Sequence, residues 1–137
     1  MRKISKILLL SIIISGFLYL ESCEKKKATP MVQLIKEEVP GGDSNIVPNG
    51  FPIITLTAKN VSGLNAYNVA CSFTAFKHDS VVYSDTAIFT QTYMTPNQID
   101  TVQAWFFKLK SFKQFDHISY VLYWWDVNSV FYIKNYP

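Results

Sequence analysis

From residue 53 onward the chain alternates between apolar and polar positions. Residues 53–60 set Ile54, Leu56 and Ala58 against Thr55, Thr57 and Lys59, and residues 68–77 place Val69, Cys71, Phe73 and Ala75 on one face. Residues 100–109 put Val102, Ala104 and Phe106 opposite Thr101, Gln103 and Trp105. A two-residue repeat is the mark of a half-buried strand, because successive side chains of a strand point to opposite faces. Residues 80–83, 86–93, 118–125 and 130–134 complete a set of seven short strands. The breaks between them carry turn residues: Asn60-Val61-Ser62-Gly63, Thr95-Pro96-Asn97, and Asp126-Val127-Asn128-Ser129, which closes a hairpin. Short strands at this spacing predict an all-β fold, a single antiparallel immunoglobulin-like β-sandwich.

One strand departs from the pattern. Residues 118–125 are apolar on both faces, with Tyr120, Leu122 and Trp124 on one and Val121, Tyr123 and Trp125 on the other. A sandwich offers one inner face per sheet, which leaves two arrangements. Either residues 110–115 fold over the outer face, or Tyr123 and Trp125 join Trp105 or Phe131 in an exposed aromatic patch. Such patches mark binding surfaces, and flat rings suit a sugar as well as a protein partner. Trp105, Tyr123, Trp125 and Phe131 are therefore the candidate binding residues.

The first 22 residues read as a processing segment. Arg2, Lys3 and Lys6 precede a 14-residue apolar run over residues 7–20, the length of a signal-peptide core and short of the roughly 20 residues a spanning helix needs. The run ends in Leu20-Glu21-Ser22-Cys23, which resembles the lipobox of bacterial lipoproteins; Glu21 is the departure from its usual small or apolar residue. The resemblance implies cleavage before Cys23, diacylglycerol on its thiol, and further acylation (palmitate or similar) of the freed amine. Two or three chains make release from a membrane negligible. Lys25, Lys26 and Lys27 follow at once, either as a solvated charge run or in contact with anionic headgroups. The aspartate that signals inner-membrane retention in this family is missing after the cysteine, and so are acidic surface-export runs. The outer membrane, with the domain on its periplasmic side, is the expected address.

Residues 23–50 form the expected lipidated tether. Pro30, Pro40, Gly41, Gly42, Pro48 and Gly50 punctuate it, a composition that rejects helix and strand interiors. Within it, residues 31–39 could make a strand or a turn of helix. Residues 51–137 contain no Glu and are rich in Val, Ile, Thr and aromatics, which is strand composition; they are the expected sandwich.

Removing residues 1–22 changes the charge argument. The formal +3 falls to ten Lys and Arg against nine Asp and Glu. A balance near +1 supplies no basic face for nucleic acid. With Cys23 taken by lipid, Cys71 has no intramolecular disulfide partner and reads as a buried apolar thiol.

The stretch Leu56-Thr57-Ala58-Lys59-Asn60, then Ala66 to Phe76, resembles small bacterial immunoglobulin-like domains of the FxLYD type. Thr95-Pro96-Asn97 followed by the alternating residues 98–102 and Phe106 fits that family's proline-turn segment. Phe73 matches its first aromatic, while Ala75, Phe76 and Lys77 depart from its Leu, Tyr and Asp. The likeness spans about residues 53–125, implies a sandwich in an extracytoplasmic setting, and brings no catalytic residue.

Candidate chemistry is sparse. His78-Asp79 and Asp116-His117 are the only histidine–carboxylate neighbours, both fall at expected turns, and two histidines lack a third firm metal ligand. There is no nucleophile–histidine–acid order, phosphate-binding glycine loop or EF-hand pattern, so neither catalysis nor a cofactor nor a metal is expected. Asn60-Val61-Ser62 is a chance sequon. Asp79-Ser80-Val81, Asp85-Thr86-Ala87 and Asp100-Thr101-Val102 are similar to an O-glycosylation acceptor of some Gram-negative bacteria, and equally to an aspartate turn opening a strand. The expected function is a non-catalytic binding or structural module of the cell envelope, held by lipid on Cys23 and meeting a protein or glycan. The alternative is an accessory subunit docking in an outer-membrane or secretion complex through its C-terminal aromatic hairpin.

Overall fold

The computed structural model describes residues 28–39 and 50–137. Residues 1–27, which hold the expected signal peptide, the lipobox-like Leu20–Cys23 and the lysine run, lie outside the described residues. Eight strands follow in order: β1 (Val32–Glu38), β2 (Ile53–Asn60), β3 (Ala66–Lys77), β4 (Ser80–Ile88), β5 (Tyr93–Met94), β6 (Ile99–Trp105), β7 (His117–Trp125) and β8 (Phe131–Tyr136). They form two antiparallel sheets. One has the order β1-β2-β6; the other runs β4-β3-β7-β8, with β5 pairing to β3. The fold is an all-β sandwich.

The core follows from the alternation. Ile54, Leu56 and Ala58 of β2 face Val69, Cys71, Phe73 and Ala75 of β3 and Tyr120, Leu122 and Trp124 of β7 across the interior. Phe106, just past β6, packs its ring 4.9 Å from Phe73 and 5.4 Å from Phe115. The connection after it makes a short 3₁₀ turn at Phe112–Gln114, and Phe112 and Phe115 close the core at this end. Residues 110–115 thus plug the interior and do not cover the outer face of Tyr123 and Trp125.

The sandwich begins earlier than residue 51. β1 lies inside the stretch expected as tether and pairs with β2 from Val32↔Asn60 to Glu38↔Thr55, with a bulge between Leu34 and Lys36. Three anchors fix it to the other sheet. The Trp124 indole N–H donates to the Pro30 carbonyl at 3.1 Å, the Tyr120 hydroxyl donates to Glu37 at 2.6 Å, and the Leu34 N–H donates to the Tyr136 oxygen at 2.9 Å. The charged, proline-flanked sequence hides β1 because only Val32 of this strand is buried. The expected strand over 80–83 and the first part of that over 86–93 merge into one edge strand, β4, which ends at Ile88 and has Tyr83 and Ala87 as its inward residues; Tyr93 falls in β5.

β8 is the opposite edge of the larger sheet. Its Lys134 pairs with Leu122, on the inward face, and its ammonium lies 5.3 Å from the Tyr136 ring centroid. An inward-pointing charge is a common device against unwanted pairing at an edge.

Candidate binding surface

The candidate residues separate into two places. β7 and β8 bring Tyr123, Trp125 and Phe131 together on the outer face of the larger sheet. Trp125 pairs with Phe131 and Tyr123 with Ile133 in the ladder. The Trp125–Phe131 centroids are 4.9 Å apart, Tyr123–Trp125 5.8 Å and Tyr123–Phe131 5.9 Å. Trp105 does not join them. It ends β6 in the other sheet, opposite Ile53, and its ring meets Phe51 at 5.5 Å and Phe107 at 5.8 Å. Alternation places Trp105 outward correctly; the sheet to which a strand belongs is a long-range choice that alternation does not carry.

The patch is continued by aliphatic neighbours. Ala70 of β3 pairs with Ile88 on one side and Tyr123 on the other, so Ile88, Ala70, Tyr123 and Ile133 form one row across four strands. Ile88, Phe131 and Ile133 are exposed by 51%, 52% and 55%. Each is large and apolar, and together they make a contiguous face of the kind that marks an interaction site. A bulge in β3 between Tyr67 and Ala70, with Asn68 at φ 50°, turns Tyr67 beside Trp125. A shallow depression of about 210 Å³ follows, lined by Ala70, Ile88, Tyr123, Trp125 and the polar Asn68, Thr86, Thr90 and Gln91. Farther along the same face the surface turns polar, where Ser72 meets Thr86 at 3.0 Å and Thr74 meets Ser84 at 3.2 Å.

The histidine–carboxylate pairs are occupied with local structure. The Asp116 carboxylate accepts from the Lys77 ammonium at 2.7 Å and from the His78 backbone N–H at 2.8 Å, and these bonds hold its pKa below the usual carboxylate range. The His117 ring stacks on Phe76 at 4.8 Å. Among the described residues no three His, Cys, Asp or Glu side chains gather as a metal site. Of the three Asp-Ser/Thr sites, Thr86 and Thr101 lie within strands with their hydroxyls next to Ser72 and Thr57; Ser80 alone follows a turn.

Cys71 is fully buried beside Leu122. Burial pushes its thiol from 9.0 up to about 12, against a smaller opposing effect of the Val121 backbone. The unfolded thiol ionises near 9.0 while the folded one keeps its proton, so folding stability holds below pH 9 and falls as pH rises through 12. The slope from this group is about 1.4 kcal/mol per pH unit. Denaturant titrations across that window should show Cys71→Ala losing less stability than the wild type, and the native thiol should stay unlabelled by thiol reagents until denaturant is added.

Asn60 was not a candidate, yet it is the one buried polar side chain of the described residues. Its amide donates to the carbonyls of Leu64 at 2.7 Å and Met94 at 2.9 Å, and its oxygen accepts from the Ser62 N–H at 3.1 Å and hydroxyl at 2.8 Å. Every bond that an amide offers is used. The signal was available: Ile54, Leu56, Ala58 and Asn60 continue one inward row. The same bonds lock the side chain of the chance sequon inside the fold.

Among the described residues no helix is long and apolar enough to cross a membrane. Compared with known proteins, the chain matches no family model and no curated protein sequence.

Proposed function

We propose that this protein is an envelope lipoprotein, anchored by lipid on Cys23, whose sandwich is a non-catalytic binding module of the FxLYD-like immunoglobulin type. The outer membrane, with the domain on the periplasmic side, is its expected place. The observation that carries the reading is the Tyr123, Trp125 and Phe131 cluster, continued by exposed Ile88 and Ile133 on a sheet face that no other part of the described chain covers. Trp and Tyr dominate binding hot spots because they bury large area with few rotatable bonds. Aliphatic neighbours favour a protein over a sugar, whose ring needs surrounding hydrogen-bond partners. A protein partner also suits docking as an accessory subunit in an outer-membrane or secretion complex, with the β7–β8 hairpin as contact.

The test combines labelled fatty acid with capture from the native envelope in mild detergent. Wild-type protein should take up label and co-purify with one protein partner, and Cys23→Ala should lose the label. Trp125→Ala should keep the label and lose the partner, with a stability change of about 1 kcal/mol or less. Unchanged capture by a Trp125→Ala, Phe131→Ala double variant would remove the patch from the function. Binding to purified peptidoglycan in place of a protein would assign the glycan partner.

A further inference from the structure

The loops at the two ends of the sandwich differ in charge, with Lys59 and Asp100 set back in the strands behind the loops of the less charged end. The chain enters at Ala28–Pro30, where a groove of about 440 Å³ runs between the loops that carry Leu64 and Val127. Three loops close this entry end, over residues 61–65, 90–98 and 126–130, and Asp126 is their only carboxylate or cation. Its carboxylate is turned into its own loop, accepting from the N–H groups of Asn128 at 2.8 Å and Val130 at 2.9 Å and from the Tyr132 hydroxyl at 3.2 Å. The loop tips are apolar: Val127 is 74% exposed, Leu64 is exposed across the groove from it, and Val61 is exposed on the same loop as Leu64. Tyr67 and Tyr93, with centroids 5.8 Å apart, flank the same end. The opposite end carries Lys77, Asp79, Lys108, Lys110, Lys113 and Asp116.

We infer that the entry end is a second, non-covalent membrane contact: Val61, Leu64 and Val127 rest at the headgroup–acyl boundary of the bilayer, and the charged end points into solvent. The inference rests on the lipid-anchor reading of Cys23. Seven residue steps separate Cys23 from Pro30, a reach of at most about 25 Å. The 12-residue β3 spans about 40 Å. With the charged end on the bilayer and the domain upright, Pro30 would stand farther from the surface than this tether can stretch. The entry end is within reach. Three small apolar tips would not hold a free protein on a membrane, but a short tether makes their contact intramolecular, at an effective concentration of order millimolar. Tyrosines at the rim suit the interface, where an apolar ring and a wet hydroxyl are both satisfied.

The experiment uses the protein purified in detergent from the native envelope and reconstituted into phosphatidylethanolamine–phosphatidylglycerol vesicles containing lipids spin-labelled near the top of the acyl chain. Val127→Cys and Asp79→Cys each carry an environment-sensitive fluorophore; Cys23 is blocked by lipid and Cys71 by burial. Flotation with the vesicles reports the anchor, and quenching reports the contact. Several-fold stronger quenching at position 127 than at 79, abolished when Val61 and Leu64 are both changed to Asp, is the expected result. Flotation with equal quenching at both positions overturns the inference and leaves the anchor standing. Failure to float, with no fatty acid on the protein, overturns the anchor reading and the inference with it.

Discussion

Trp124→Ala should lower the folding free energy by about 3–5 kcal/mol, enough to unfold much of a domain this small, since total stabilities are commonly about 5–15 kcal/mol. Trp124 is 4% exposed and stacks on Tyr132 at 6.0 Å. Its indole also binds the Pro30 carbonyl. Truncation opens a cavity and leaves a buried carbonyl without its donor, two losses that act together. The neighbouring Trp125→Ala removes a half-exposed ring and should cost far less. Chemical denaturation of the two variants side by side is the measurement. Equal and large losses would mean that Trp125 is a core residue, and the patch would lose its central member.

Asn60→Asp should be nearly as damaging, although it exchanges one amide nitrogen for oxygen. The side chain's two donors face the Leu64 and Met94 carbonyls. A carboxylate would present an acceptor and a charge to both, in a site with no exposure to water. Each carbonyl left unsatisfied costs about 1–3 kcal/mol, and a buried charge costs more unless it takes a proton. The variant should therefore be least stable at neutral pH and recover part of its stability in acid. Asn60→Ala should be milder and independent of pH. Thermal melts of both variants at neutral and acidic pH check this; identical pH profiles would mean that the site admits water.

The sequence was most legible where alternation was strict. β2 spans the expected residues 53–60, because every second residue from Ile54 to Asn60 is buried. β7 also divides as alternation predicts, with Tyr120, Leu122 and Trp124 buried and Tyr123 and Trp125 only half so. β1 was hard to read because it is an edge strand that buries little, and its stability comes from Tyr120, Trp124 and Tyr136, all far along the chain. Trp105 failed as a patch member for a related reason: its facing is local, but the sheet it joins is decided by pairing with β2. Alternation thus put Tyr123, Trp125 and Phe131 on outward positions, where the structure brings them together, but gave no sign of their aliphatic neighbours. Ala70 and Ile88 come beside Tyr123 only through the register of β3, which the bulge at Asn68 shifts by one residue.

The antiparallel pairing of β1 has a mechanical consequence. A pull on the chain ahead of Pro30 runs along the axis of β1 and loads its ladder with β2 in shear, so that the paired residues from Val32 to Glu38 resist together. A strand peeled from its free side would instead give up its bonds one after another. The three cross-sheet anchors, Pro30 just ahead of β1 and Leu34 and Glu37 within it, share that load. Resistance to such a force is governed by the rate of unfolding and not by the equilibrium free energy. Whatever its thermodynamic stability, the domain is therefore strong toward a force applied along the chain that leads into β1.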